Sequence, residues 1–248
     1  MPLQSLYGYQ IRKGELYNLK AINKFGYRDA VGTDKSTIGE VGDNYDLLTS
    51  AQALTVSSSS TNDASDGTGA RTLKLYGLDE NYNEASETIS LNGQNGVSTS
   101  VSYIRVYRAT VESAGSSGTN VGDLHIGYGT ITSGIPANKI MALPAGEGQT
   151  LLAAWTVPAD YTGYLYETVF NSGTEATNKY IIGRLEVKEI GKVWQTKVKG
   201  SFSTATFRME MPLPTVIPEK SDIKMTAVSS SGTQDVSGAF TIIYERNS

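Results

Sequence analysis

The chain has one histidine and no cysteine, which limits the nitrogen and sulfur chemistry available to it. A serine-type triad would have to use His125, and no G-x-S-x-G motif is present to position a nucleophile. A zinc site built from nitrogen and sulfur needs three or four such ligands, and this sequence can supply only one histidine nitrogen. Because His125 lies in the alternating stretch GDLHIGYG, we interpret it as a packed or surface residue rather than a catalytic one.

The stretch STNDASDGTGARTLKLYGLD, residues 60–79, combines acidic residues with closely spaced glycines. A calcium loop beginning at Asp63 would have glycine at its fifth position and Lys74 in place of the glutamate at its twelfth. A phosphate loop would need a lysine and a hydroxyl residue after its last glycine, followed by a helix. We therefore interpret the stretch as a polar loop that leads into the strand TLKLYGL, and a cation site at Asp63 and Asp66 is the alternative.

Glycoside hydrolysis requires two carboxylates about 5–10 Å apart, and four acidic residues lie close together in LDENYNEASE. These are Asp79, Glu80, Glu84 and Glu87. The composition of this segment is typical of a turn between strands, and nothing in it would raise the pKa of a carboxyl group. We therefore expect a structural role for these residues.

The two tryptophans, Trp155 and Trp194, could form a platform on which a sugar stacks, or could serve as core or interface anchors. We favour the anchor interpretation. From these observations together we predict that the protein is not an enzyme and that it binds no cofactor or metal ion.

The composition excludes other classes of function. The net charge is −4 and the isoelectric point about 5.2, with no basic run of the kind that tracks a nucleic-acid backbone. No apolar stretch reaches the length of a membrane span. The first 20 residues have neither an apolar core nor a small-residue cleavage site, so we expect no signal peptide.

From residue 46 onward, segments with an apolar residue at every second position alternate with turn sequences. The clearest segments are TLKLYGL, ASETISL, YIRVYRATV, GRLEVKEI, TFRMEM, DIKMTAV and AFTIIYE. The turn sequences contain Asn92-Gly93 and Asn95-Gly96, which are strong hairpin signals. The pattern predicts an all-β protein, with an antiparallel, jelly-roll-like β-sandwich over residues 46–248.

Residues 1–45 differ from the rest of the chain. Leu16, Leu19, Ile22 and Phe25 recur at intervals of three, which indicates one or two short amphipathic turns that glycines then interrupt. The segment is either a loosely ordered terminus or an extended arm that crosses a neighbouring subunit. Five aromatic residues favour the arm, because disordered tails are poor in aromatics and interfaces are rich in them. The candidate interaction residues are Tyr7, Tyr9, Tyr17, Phe25 and Tyr27.

Several blocks together resemble a family of β-sandwich virion structural proteins of tailed bacteriophages, many of them marine. These blocks are STNDASDGTGARTLKLYGLDENYNE, WTVPADYTGYLYE and IPEKSDIKMTA, in the same order as in the family. The resemblance covers roughly residues 57–245, and its first block is the most specific. The second block departs from the family pattern, because Asp160-Tyr161 stands where a small, glycine-containing turn is usual.

The resemblance implies a place in the virion and a β-sandwich fold. The role we expect from it is a capsid decoration or cement protein that binds the major capsid protein non-covalently, assembled as a homotrimer so that weak contacts add up. The alternative is a tail, fibre or adaptor component that binds a host-surface glycan through loops such as 113–122 and 171–178. Neither role involves nucleic acid or a membrane.

Overall fold

The computed structural model describes residues 3–40, 48–173 and 179–247, which form one helix and fifteen strands. In chain order these are α1 (Leu3–Lys13), β1 (Leu19–Val31), β2 (Ser36–Thr37), β3 (Gln52–Ser58), β4 (Ala70–Asp79), β5 (Glu84–Ser90), β6 (Val97–Ala114), β7 (Leu124–Thr132), β8 (Ile135–Leu143), β9 (Ala154–Thr156), β10 (Tyr161–Ser172), β11 (Ile181–Lys188), β12 (Gln195–Phe202), β13 (Phe207–Ile217), β14 (Asp222–Ser229) and β15 (Gln234–Arg246). Within the described ranges every strand pair is antiparallel. The predicted all-β, antiparallel fold is confirmed. No helix in these ranges is both long and apolar enough to cross a bilayer.

The chain divides into two compact units. The first contains Met1–Ile38 and Ala153–Ser248, and the second contains Gly39–Leu152. We call them the jelly-roll unit and the inserted unit. The predicted division into an arm (1–45) and a single sandwich (46–248) differs from this arrangement, because β1 and β2 are strands of the same unit as the C-terminal strands.

The jelly-roll unit has two four-membered sheets, whose strand orders are β1-β15-β10-β13 and β12-β11-β14-β2, with β9 also paired to β14. Strands β2 and β9 share one position, because β2 pairs with Thr226–Ala227 and β9 with Asp222–Lys224 of the same neighbour. Counted along the chain with β2 and β9 as one position, the sheets have the orders 1-8-3-6 and 2-7-4-5. This is the order of an eight-stranded jelly roll.

The inserted unit therefore interrupts one strand position of the jelly roll. Backbone hydrogen bonds close the interruption: the Ala153 N–H donates to the Ile38 carbonyl at 3.0 Å, and the Met225 carbonyl and N–H bond to Ile38 and Ala153, respectively, at 2.9 Å each. Gly26 of β1 lies against this junction. A Cβ at that position would come within 2.4 Å of the Ile38 carbonyl oxygen, so a larger residue would separate β1 from the junction.

The two sheets of the jelly-roll unit enclose an aromatic core. The Phe170 ring centroid lies 5.7 Å from that of Phe202 and 6.1 Å from that of Phe207. A Cβ on Gly183 would meet the Phe170 ring at 2.7 Å, so the missing side chain makes room for the ring. At the other end, Trp155 is fully buried against Tyr244.

In a half-buried strand the apolar side chains usually face the core and the polar ones face the solvent. Strand β1 has the opposite arrangement. Its buried face carries Lys24 and Gly26, whereas Phe25 and Tyr27 are 44% and 36% exposed. The interval of three among Leu16, Leu19, Ile22 and Phe25 indicated helical turns, but most of this segment pairs with β15 as a strand. The prediction of amphipathic turns there was wrong, and the one helix of the described chain lies at Leu3–Lys13.

The inserted unit is a six-membered sheet of order β5-β4-β6-β3-β7-β8. Strand β6 pairs with β3 through its first half and with β4 through its second half, and both pairings meet at Tyr103. The hairpin expected at Asn92-Gly93 is absent, because β5 and β6 flank β4 rather than pair with each other. Asn92 and Gly93 instead belong to a local turn, which is closed by a hydrogen bond from the Asn95 N–H to the Asn92 carbonyl at 3.1 Å.

Candidate functional site

The loop that contains Asp63 is organised around a fully buried carboxylate. One oxygen, Oδ1, accepts the N–H groups of Ala70 (2.8 Å) and Val121 (2.9 Å). The other, Oδ2, accepts the Ser58 hydroxyl (2.6 Å) and the Gly122 N–H (2.8 Å). Both oxygens are occupied by hydrogen-bond donors, so this aspartate joins two loops to the end of β3.

This geometry argues against a cation site at Asp63 and Asp66. A metal ion would have to replace N–H groups that already point at the Asp63 oxygens, and Asp66 is exposed. Within the described residues no group of three or more histidine and acidic side chains is placed to hold a metal ion. The glycines fit the same interpretation, because a Cβ on Gly69 would lie 2.1 Å from Asp63 Oδ1.

Two of the four acidic residues of LDENYNEASE, Asp79 at the end of β4 and Glu87 in β5, also have structural roles. Asp79 Oδ1 accepts the N–H groups of Asn81 (2.8 Å) and Asn83 (2.9 Å), which closes the turn between the strands. Glu87 Oε2 accepts both the backbone N–H and the hydroxyl of Ser100. The turn interpretation agrees with the hydrogen bonds of Asp79, whereas Glu84 and Glu87 lie within β5 rather than in a turn.

His125 is 5% exposed on β7, and neither ring nitrogen has a hydrogen-bond partner among the described residues. Burial lowers its pKa below the usual value, the nearby Lys139 lowers it further, and Asp123 partly opposes them. The ring is therefore held neutral and packed inside the inserted unit. The prediction of a packed or surface residue agrees with this position.

A cluster of charged residues on β11 and β14 was not predicted from the sequence. Glu186 is 4% exposed and accepts the Lys35 ammonium and the Thr226 hydroxyl, each at 3.0 Å. Lys224 is 7% exposed; its Nζ lies 4.3 Å from the Trp194 ring centroid, and burial lowers its pKa despite the opposing effect of Glu186. Glu186 is paired with a cation and Lys224 lies over an aromatic ring, so we assign the cluster a structural role.

The tryptophans do not form a shared platform. Trp155 is fully buried beside Tyr244, with ring centroids 5.0 Å apart, and has no face open to a ligand. The Trp194 ring is occupied by the Lys224 ammonium. Both positions agree with the interpretation of these residues as anchors.

Four of the five predicted interaction aromatics have described side chains, and all four are exposed. Tyr9 on α1 is 59% exposed, Tyr17 is 94% exposed, and Phe25 and Tyr27 lie on the outer face of β1. The side chain of Tyr7 lies outside the described residues. Exposure leaves these residues available for contact, and their role in interaction stays a prediction.

The predicted binding loops have different surroundings. In loop 113–122, the Val121 and Gly122 N–H groups bond to Asp63, and Gly115 donates to Gly69. That loop is therefore held firmly. In loop 171–178, residues 174–178 lie outside the described residues.

A polar groove of about 280 Å³ lies at one end of strands β10 and β15 in the jelly-roll unit. Its lining residues are Thr162, Tyr164, Glu245, Arg246 and Asn247. The only hydrogen bond between these side chains in the described structure is from the Thr162 hydroxyl to Asn247 Oδ1, at 2.7 Å. The carboxylate of Glu245, the guanidinium of Arg246 and the hydroxyl of Tyr164 have no partner among the described residues.

The groove adjoins the turn at Asp160-Tyr161. Asp160 has a φ of 62°, a left-handed conformation that glycine adopts with less strain. Its carbonyl accepts the Asn247 N–H at 2.8 Å, and its own N–H donates to Glu219 at 2.7 Å. Both bonds are made by the backbone of Asp160, so they hold the turn beside the groove without using the aspartate side chain.

No protein-family model matches the chain, and no curated protein sequence matches it significantly. Solved structures with some likeness include T=1 particles derived from infectious bursal virus, at 11% identity, a TM-score of 0.21, and coverage of 93% of this chain and 75% of that one. The STIV MCP is 12% identical, with a TM-score of 0.24 and coverage of 90% and 96%, respectively. Scores this low do not establish a common fold.

Proposed function

We propose that this chain is a non-enzymatic structural protein of a virus particle, and that it decorates or cements a capsid shell. The observation that carries the proposal is the eight-stranded jelly roll with an inserted unit. Jelly rolls occur in viral capsid proteins, in lectins and in cupins. The resemblance to phage virion proteins favours the first of these classes.

The residues present argue against the cupin class. Cupin enzymes hold a metal ion with a cluster of histidines and a carboxylate. This chain has a single histidine, and that histidine is buried without a hydrogen-bond partner in the described structure. Of the four acidic residues considered for catalysis, Asp79 accepts hydrogen bonds within a turn and Glu87 accepts them from residues 100 and 101 instead.

A decoration protein needs a surface that holds it on the shell without covalent bonds, since the chain has no cysteine. The exposed aromatics Phe25 and Tyr27 lie two residues apart on β1, which is an edge strand of its sheet. Aromatic residues are enriched at protein interfaces. We propose that this strand contacts the major capsid protein or a second copy of the chain, and that a homotrimer combines several such contacts through effective concentration.

The second candidate function is a tail, fibre or adaptor component that binds a host-surface glycan. The polar groove at the end of β10 and β15 favours it, because jelly rolls also serve as lectins. The two functions differ in copy number, since a decoration protein covers the shell and a tail component does not.

The proposal can be tested with particles that lack the chain. We expect purified protein to bind such particles and raise the temperature at which the shell opens, because a ligand of the intact shell stabilises it by mass action. Phe25→Ser combined with Tyr27→Ser should weaken binding, and Tyr180→Ser, which changes another exposed tyrosine, should not.

Two results would count against the decoration role. Failure of the purified protein to bind the shell would contradict it directly. Particles that lack the chain, have fully stable shells and fail to adsorb to host cells would support the tail role instead.

A further inference from the structure

We propose that Asn95, in the turn that precedes β6 of the inserted unit, is a site of spontaneous deamidation, and that the nearby Asn92 is protected from the same reaction. This inference goes beyond the proposed function and does not depend on it. It rests on the two Asn-Gly pairs of the sequence, Asn92-Gly93 and Asn95-Gly96, whose surroundings in the fold differ.

Deamidation begins when the backbone nitrogen of the residue after an asparagine attacks the side-chain carbonyl carbon. The new C–N bond closes a succinimide ring, the attacking nitrogen gives up its proton, and the side-chain NH₂ group takes up a proton and leaves as ammonia. Water then opens the ring at either carbonyl, which leaves aspartate or isoaspartate. Water is consumed and ammonia is released, so the reaction needs no oxidant or cofactor. A following glycine favours it, because glycine has no side chain to obstruct the ring.

The nitrogen that would attack Asn92 is held in a hydrogen bond. The Gly93 N–H donates to the Asp63 carbonyl at 2.8 Å, and the Gly93 carbonyl accepts the Ser58 N–H at 2.8 Å. Gly93 is also buried, with a φ of 59° that glycine adopts without strain. Both sides of this glycine are therefore fixed, and its nitrogen can turn toward the Asn92 side chain only when the loop around Asp63 opens.

The nitrogen that would attack Asn95 is not held in this way. Neither the Gly96 N–H nor the side-chain amide of Asn95 has a hydrogen-bond partner among the described residues, and both residues are exposed. The Asn95 N–H does donate to the Asn92 carbonyl, but this bond lies on the other side of Asn95 from the peptide that reacts. The reacting groups of Asn95-Gly96 can therefore meet without breaking a hydrogen bond of the described structure.

Packing explains why a glycine follows Asn95. A Cβ on Gly96 would come within 2.1 Å of Ile131 Cδ1 and 2.3 Å of Thr55 Cγ2, so a larger residue would have to displace both side chains. These contacts are with the ends of side chains, which move on a much shorter timescale than a hydrogen-bonded loop opens. The fold thus favours glycine at position 96 without fixing its nitrogen.

The products would change the turn in two ways. Aspartate at position 95 adds a negative charge to an exposed turn. Isoaspartate adds a methylene group to the main chain immediately before Gly96, close to Val97, which pairs with Val56 of β3. Deamidation would therefore alter the charge of the turn and the path by which the chain enters β6.

The test incubates the full, folded chain in mildly alkaline buffer made with heavy-oxygen water, well below its thermal unfolding transition. Trypsin then releases residues 75–105 as one peptide, and fragmentation of this peptide assigns the new label to Asn92 or Asn95. We expect deamidation to be at least about ten-fold faster at Asn95, because reaction at Asn92 must wait for the loop to open. In urea the two rates should agree within about two-fold, since the unfolded chain holds neither glycine.

Asn95→Gln is the control variant. It changes an exposed side chain, and glutamine would have to close a larger ring, so the labelled product at position 95 should disappear while Asn92 reacts as in the native chain. Equal rates at Asn92 and Asn95 in the folded chain would overturn the inference, because the hydrogen bonds of Gly93 would then give no protection. Reaction of both in urea and of neither in the folded chain would also overturn it, because the turn at Asn95 would then be held as firmly as Gly93.

Discussion

The two units of this chain differ in what their polar side chains do. In the inserted unit, Asp63, Asp79 and Glu87 have the types and spacing of catalytic or metal-binding groups, yet each accepts hydrogen bonds from nearby backbone or side chains. In the jelly-roll unit, Glu245 and Arg246 lie at the end of a strand and have no partner among the described residues. Polar groups that are already paired hold a fold together, and groups that remain free are available to a ligand.

We expect the largest effect from a substitution that removes the buried Asp63 carboxylate of the inserted unit. Asp63→Ala removes the acceptor of three backbone N–H groups and one hydroxyl, all in a buried site. Each buried group that loses its partner costs about 1–3 kcal/mol, so we expect the free energy of unfolding to fall by about 4 kcal/mol or more. Urea denaturation measures the fall, and hydrogen exchange should show faster opening of residues 59–70.

Asp66→Ala is the matched control, since it removes an exposed carboxylate from the same loop. We expect a change within about 0.5 kcal/mol. Equal effects of the two substitutions would contradict the role assigned to Asp63.

A smaller effect should follow from crowding the same carboxylate. The Cβ of Gly69→Ala would lie 2.1 Å from Asp63 Oδ1, so the loop must shift and its hydrogen bonds must lengthen. We expect a loss of about 2–3 kcal/mol, in the range of overpacking substitutions. Gly32→Ala, in open space, should cost little, and a thermal melt of both variants compares them.

His125 is the exception in the inserted unit, because it is buried without a partner among the described residues. Burial lowers its folded-state pKa below the unfolded value of about 6.5, so its contribution to stability is complete above that pH and is lost as the pH falls below it. Stability should therefore decline between pH 6.5 and 5, by at most about 1.4 kcal/mol per pH unit. In His125→Leu this part of the slope should disappear, and an unchanged slope in urea denaturation would contradict the buried, neutral imidazole.

We expect the smallest effects on stability from replacing one glutamate in each unit. Glu87→Ala removes three accepted hydrogen bonds near the surface, so we expect a loss of about 1 kcal/mol. Glu245→Ala removes a carboxylate without a partner in the described structure, so we expect a change within about 0.5 kcal/mol. If Glu245→Ala is as destabilising as Glu87→Ala in thermal melts, the groove is a structural feature and the contrast between the units fails.

Regular strands were predictable from the sequence where one face is buried. Leu73 and Leu75 alternate with polar residues and are fully buried in β4, and Ile223, Met225 and Ala227 do the same in β14. These patterns gave the fold class and the antiparallel sheets. Such patterns are local, so they carry no information about which distant strands share a sheet.

The split strand and β1 could not be predicted for this reason. Strand β2 has two residues and β9 has three, and they occupy one position only because β14 pairs with both. Strand β1 exposes Phe25 and Tyr27 while it buries Lys24, the reverse of the usual pattern. Without a recognisable first strand, the jelly roll appeared to begin later and the first 45 residues appeared to be an arm.

The groove could not be predicted from the sequence either. Its residues come from two segments that are far apart in sequence, 162–164 and 245–247, and each looks like an ordinary polar strand end. The role of Asp63 left a weak signal, because Gly67 and Gly69 have no room for a Cβ beside the Asp63 loop. The sequence showed that this stretch is a loop that leads into a strand, but not that its aspartate bonds to a second loop.

The proposed function is tested most directly by an electron cryo-microscopy map of virus particles purified from a culture that expresses this chain from its native gene. The account predicts jelly-roll density of this chain at regular, symmetry-related positions over the capsid shell, with β1 against a neighbouring subunit. Absence of the chain from purified particles, by the map and by mass spectrometry of the same sample, would contradict a structural role in the virion.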